Sequence, residues 1–190
     1  MKILIYSLLF STLFFTACNN APKEQTGTIS DISKVEKSAA KNSSAAESPV
    51  SGIISAYLEL KNALAKDNDK DAASSGKALE SAFTSFDKSA LAPDKAKIYT
   101  DIAESAKEHA EHIAANADNI KHQREHFETL SQDIYDLAKA FGAGQKLYVD
   151  HCPMYNNNKG ANWISESKEI SNPYLGQSMP TCGTVKEELN

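Results

Sequence analysis

Cys152, Met154, Met179 and Cys182 are the residues of this 190-residue chain best suited to chemistry. They form two groups in mirrored order, Cys152-Pro153-Met154 and Met179-Pro180-Thr181-Cys182. Both lie in a Gly/Asn/Pro-rich segment that also holds His151 and the single tryptophan, Trp163. Thiolate and thioether are soft donors, suited to Cu(I) or Ag(I) and poorly suited to magnesium or calcium. His151, next to Cys152, could add an imidazole. Zinc comes second, because a structural zinc site wants close to four Cys/His ligands and the chain has no Cys-x-x-Cys pair.

The same cysteines allow two other outcomes. If Cys18 is modified, two thiols remain, and in an oxidising compartment they favour a Cys152–Cys182 disulfide. Closing that loop of about 30 residues would contribute roughly 3 to 4 kcal/mol in the chain-entropy model. Unpaired, inert thiols are the third outcome, with the methionines as gap fillers. Spacing does not decide among the three.

The histidines form a second group. His109 with His112, and His122 with His126, are i, i+3 and i, i+4 pairs, so each pair shares one side of a helix. The second pair lies in HQREH, which carries Gln123 where a zinc-protease helix needs its glutamate. At about 100° per residue, His109 and His126 flank their apolar stripes and face each other across a tight turn, while His112 and His122 point further out. Histidines on such helices are ordinarily part-solvated or hydrogen-bonded to neighbours; metal ligation is the competing role.

The elements that must hold these groups read as helices. Apolar residues at 53, 54, 57, 58, 60 and 64 mark one helix face, and residues 72, 76, 79, 82, 83 and 86 mark a second. Pro93 opens a third helix, with Ile98, Ile102, Ala106, Ala110, Ile113 and Ala117 on one face. The stretch Asn116–Asn119 offers a stop and an N-cap, with Asp118 as the cap, although one continuous helix over 94–141 competes. Ile120, Phe127, Leu130, Ile134, Leu137 and Phe141 form the fourth stripe, ending at Gly142 and Gly144. The expected fold is therefore all-α: an up-down antiparallel four-helix bundle over 50–190. Its irregular C-terminal cap, 144–190, contains at most a short strand at Leu147–Val149.

The chain begins with a lysine, an apolar run from Ile3 to Phe15 and the small residue Ala17 before Cys18. Residues 1–17 read as a signal peptide and Cys18 as a lipidation site, followed by a flexible linker to residue 49. This predicts an envelope protein, periplasmic or on the outer membrane, held to the membrane by its lipid anchor alone. Twenty Lys and Arg against 25 Asp and Glu leave a net charge of −5 with no basic stripe, which argues against nucleic acid as a partner. No phosphate loop, nucleophile elbow or calcium loop occurs, so no enzyme activity is expected.

HQREHFETLS (122–131), LYVDHCPMYNNNKGANWIS (147–165) and EISNPYLGQSMPTCG (169–183) together resemble the domain of unknown function 3347 family, over roughly residues 50–188. That family occurs in lipoproteins and as an extra domain on some periplasmic adaptor subunits of heavy-metal efflux pumps. The resemblance implies soft-metal handling in copper homeostasis or efflux, with Cys152, Met154, Met179 and Cys182 as ligands and His126 as a fifth. It also implies a metal ion, and a heavy-metal efflux adaptor or another envelope protein, as partners. His151 is a less regular feature of the pattern, and Pro180 stands where the family often has a larger apolar residue. The rival expectation is a structural or interaction module locked by a Cys152–Cys182 disulfide.

Overall fold

A computed structural model describes residues 48–190. The signal-like stretch, Cys18 and the linker up to residue 47 lie outside the described residues. Four helices come first: α1 (Ser51–Ala65), α2 (Asp69–Ser85), α3 (Pro93–Ala115) and α4 (Ile120–Phe141). Three strands follow: β1 (Leu147–Cys152), β2 (Ala161–Ser165) and β3 (Thr184–Leu189). Among the described residues no helix is long and apolar enough to cross a membrane.

The helix boundaries follow from local chemistry. Asn68 caps α2 by accepting from the Asp71 N–H, and Pro93 supplies the first turn of α3. The stretch Asn116–Asn119 does break the chain, so the continuous helix over 94–141 is not formed. The cap is Asn119, which accepts from the His122 N–H, rather than Asp118. Consecutive helices pack against each other, and α1 also touches α4. Gly76 lets α2 and α3 approach closely, since a Cβ there would lie 3.0 Å from both the Ala110 carbonyl and the Ile113 Cγ2.

The C-terminal segment corrects the expectation of an all-α chain with at most a short strand. Its strands form an antiparallel sheet in the order β2-β1-β3, with a bulge between Val149 and Asp150. The sequence signal was weak for physical reasons: β2 is five residues long, and β3 carries Lys186, Glu187 and Glu188. That charge suits an exposed edge strand and hides the strand's apolar pattern. Pro153, which has no N–H to give a strand ladder, directly follows the end of β1.

Helices and sheet meet on an aromatic core. Tyr57 of α1 stacks on Phe127 of α4 at 5.2 Å, Phe127 packs against Tyr174 at 5.6 Å, and Tyr174 meets the edge of the fully buried Trp163 at 6.0 Å. The buried Tyr57 hydroxyl lies 2.8 Å from the Ser131 Oγ of α4 and accepts the Ile164 N–H of β2 at 3.1 Å. One hydroxyl thus serves two helices and the sheet. Near it, Lys61 is almost wholly buried and pairs with Glu166 at 2.8 Å, tying α1 to the residue after β2. Burial pushes the Asp150 carboxyl up to about 6, against the pull of Lys61.

Tyr57→Phe keeps the ring and removes the acceptor of a buried strand N–H. The expected loss is about 1–3 kcal/mol of unfolding free energy, read as a lower urea midpoint at unchanged slope. Ser131→Ala, which leaves the Ile164 bond in place, should cost less.

Candidate functional site

Two clusters of potential ligands emerge, one at the sheet and one on the helices. The first joins Cys152, the last residue of β1, to Cys182, just before β3. Their sulfurs lie 3.1 Å apart although 30 residues separate them in the chain, and both thiols are free. Asn172, fully buried, makes this convergence. Its side-chain amide donates to the Cys182 carbonyl, its Oδ1 accepts the N–H groups of Tyr174 and Leu175, and its own N–H donates to the Pro180 carbonyl. It fixes the turn of the Asn-Pro-Tyr-x-Gly block and the approach to Cys182 at the same time.

The two sulfurs are electrostatically unequal. Burial pushes the Cys152 thiol up, but the contact with Cys182, the N–H groups of Met154 and Tyr155, and the Asn172 side chain together hold it below the ordinary thiol value. Cys182 is raised, first by its contact with Cys152 and then by burial. Of the two sulfurs, Cys152 is therefore the one that gives up its proton more readily. Met154 and Met179, near the two cysteines in the chain, are exposed, at 49% and 39%. After Met154 the chain makes a left-handed helical turn, Tyr155–Asn158, with Asn156, Asn157 and Asn158 at φ of 50°, 57° and 65°. Asparagine tolerates that region better than other side chains.

His151 is not brought to the sulfurs. Neighbours on a strand point to opposite faces, and the His151 ring is bonded across the sheet, Nδ1 to the Asn162 Oδ1 at 2.8 Å. His126 also lies elsewhere. On α4 the helical rotation turns Phe127 and Glu128 toward the sheet segment, where they meet Tyr174 and Asn156, and turns His126 toward α3. The structure thus divides the expected ligand set: the two cysteines converge, while His126 joins other histidines.

That second cluster spans α3 and α4 next to their connecting turn. His126 Nδ1 lies 2.9 Å from His109 Nδ1, and His126 Nε2 lies 3.1 Å from His122 Nε2. The His112 ring stacks on His126 at 4.4 Å with 7° between planes. His112, His122 and His126 offer ligand atoms all within 4.8 Å of one another. Burial first, then repulsion by His112, His122 and His109, holds His126 below the ordinary imidazole value. The facing of His109 and His126 follows the sequence spacing. His112 and His122 also join the cluster, though their spacing turns them outward: the turn is tight enough for side chains at its mouth to meet, and Gln123 secures it by donating to the Ile113 carbonyl of α3 and the Asp69 carbonyl of α2.

Residues 53–146 match the family model described as protein of unknown function (DUF3347). The match supports that domain family for the helical body, which carries the histidine cluster and the HQREHFETLS block. It ends at the residue before β1, so the two sulfur-bearing blocks lie beyond the matched span. No curated protein and no solved structure gives a significant match.

Asn172→Ala removes the partners of two backbone N–H groups and one carbonyl near Cys182. It should lower stability by about 1–3 kcal/mol and slow Cys152–Cys182 bond formation under mild oxidant, followed by loss of free thiol. A wild-type oxidation rate in a folded Asn172→Ala protein would show that Asn172 does not hold the pair.

Proposed function

We propose that this DUF3347 protein is a lipid-anchored envelope protein, periplasmic or on the outer membrane, that binds a soft monovalent ion, Cu(I) or Ag(I), in copper homeostasis or efflux. Cys152 and Cys182 are the primary ligands, and the Met154 and Met179 thioethers complete the shell from the exposed rim. The helices α1–α4, read as an up-down four-helix bundle, form the rigid base for the sheet that carries Cys152. The observation that carries this reading is the 3.1 Å approach of two free thiols from opposite ends of a 30-residue segment. A lowered Cys152 thiol favours metal binding, because the thiolate is the form that ligates. Zinc is the second choice, since the sulfur pair supplies only half of a structural zinc shell.

In this reading the protein holds the ion and hands it over without turnover, to a heavy-metal efflux adaptor or another envelope protein. Exposed methionines suit such transfer, because an incoming ligand can replace them before the cysteines release the ion.

The same approach of the sulfurs favours a second reading, a structural or interaction module in which the pair closes into a disulfide and docks on an envelope partner. One experiment separates the two. Purified without reductant, the metal binder keeps both thiols and takes up a single Cu(I) equivalent in a competition titration. Cys152→Ser abolishes uptake, and a Met154→Ala/Met179→Ala variant weakens it by about tenfold or more, or ~1.4 kcal/mol. A mass two hydrogens below the reduced formula, with no Cu(I) uptake, would establish the module reading instead.

A further inference from the structure

We infer that His112, His122 and His126 form a second metal site, independent of the sulfur pair, that takes a divalent ion of borderline softness such as Zn(II), Ni(II) or Cu(II). Imidazole is the donor these ions share, whereas Cu(I) and Ag(I) prefer sulfur. The two clusters thus differ in ligand chemistry as well as position.

The hydrogen bonds specify how the site is built. His122 Nδ1 lies 3.4 Å from the Glu125 carboxylate, which can only accept, so the proton sits on Nδ1 and Nε2 carries the lone pair. His122 Nε2 therefore accepts from His126 Nε2–H, and His126 Nδ1 accepts from His109 Nδ1–H. With Glu125 ionised, this is the single proton order that satisfies all three contacts with neutral rings. An arriving cation takes the place of the proton between the two Nε2 atoms. The His126 proton then moves to Nδ1 and the His109 proton moves from Nδ1 to Nε2, both by exchange with water, so His109 Nδ1 becomes the acceptor. Each of these two ligating rings thus has an outer partner on its other nitrogen, Glu125 for His122 and His109 for His126, the arrangement that orients metal-binding histidines.

The dimensions fit. Bonds of about 2.0–2.1 Å place the donors of a tetrahedral zinc site roughly 3.3 Å apart. The two Nε2 atoms already stand at 3.1 Å, and each of the three rings offers one nitrogen within 4.8 Å of the other two. His112 is exposed, so its ring can turn to close the remaining gap without repacking the core, and a fourth position stays open to water or a passing ligand. The scaffold is rigid where it matters, since α3 and α4 are locked at their turn by Gln123 and by the Asn119 cap.

The test uses the purified, reduced protein and its Cys152→Ser/Cys182→Ser variant, titrated with Co(II) and Zn(II). The expected result is d–d absorption of Co(II) without thiolate charge transfer, displaced by Zn(II), and equal in both proteins. His122→Ala and His126→Ala should lose it, and Glu125→Gln should weaken Zn(II) binding about tenfold to a hundredfold. His122 lies at the surface, so a metal-free melting temperature near wild type in His122→Ala confirms that folding is intact. Absent Co(II) and Zn(II) binding, binding lost with the cysteines, or binding unchanged in a folded His122→Ala would each overturn the inference. Because the Cys152→Ser/Cys182→Ser protein is the reference, failure of the Cu(I) reading leaves this result unaffected.

Discussion

The structure depends on the Tyr57 hydroxyl, buried where α1, α4 and β2 meet. It satisfies a strand N–H that would otherwise be orphaned inside the protein, at a cost comparable to a large share of a small domain's stability. Around it the stack of Tyr57, Phe127, Tyr174 and Trp163 runs from helix through loop to strand. Helices and sheet thus share one core. The sulfur pair is placed by that core because Cys152 ends the strand beside β2, and Asn172, two residues before Tyr174, holds Cys182.

The two candidate centres use different ways of bringing distant residues together. The histidines need only one tight turn, after which i, i+3 and i, i+4 spacing on facing helices brings them together. The cysteines need a long-range arrangement: a strand, a left-handed turn, a second strand and a loop pinned by a buried asparagine. The first is a property of local sequence, the second of tertiary structure. Arg124 links the two regions. It sits on α4 between His122 and His126 and donates to the Leu64 and Pro173 carbonyls, joining the end of α1 to the loop that carries Tyr174.

The helical half was largely legible in the sequence because 3.6-residue periodicity is redundant. Six or so apolar positions on each of four stripes leave little ambiguity, and Pro93 and the break at 116–119 mark boundaries. Asp118 and Asn119 are both good caps, so the choice between them was decided by backbone geometry. The sheet was legible only at β1. In β3 the charges of Lys186, Glu187 and Glu188 replace the alternation that marks a strand, and in β2 the signal is five residues long. For the sites, Cys152 and Cys182 stood out by type, but Asn172 looked like an ordinary turn residue, and its full burial is invisible in sequence. His151 and His126 were grouped with the sulfurs by adjacency and by family pattern. Strand alternation and helix rotation send both rings elsewhere.

Joining Cys152 to Cys182, by a bond or through an ion, has a topological effect. The segment between them contains Trp163 and Tyr174, so the link closes a ring of chain that includes two of the core aromatics. With the ring open, the edge strand β3 and the loop before it can peel away as a unit while the helices stay folded. With it closed, Cys182 stays tied to the end of β1, so the loop before β3 is held and β3 frays only from its free end. The chemical state of two sulfur atoms thereby sets how often the sheet's outer edge breathes, and amide exchange along β3 becomes a record of what those atoms are bound to.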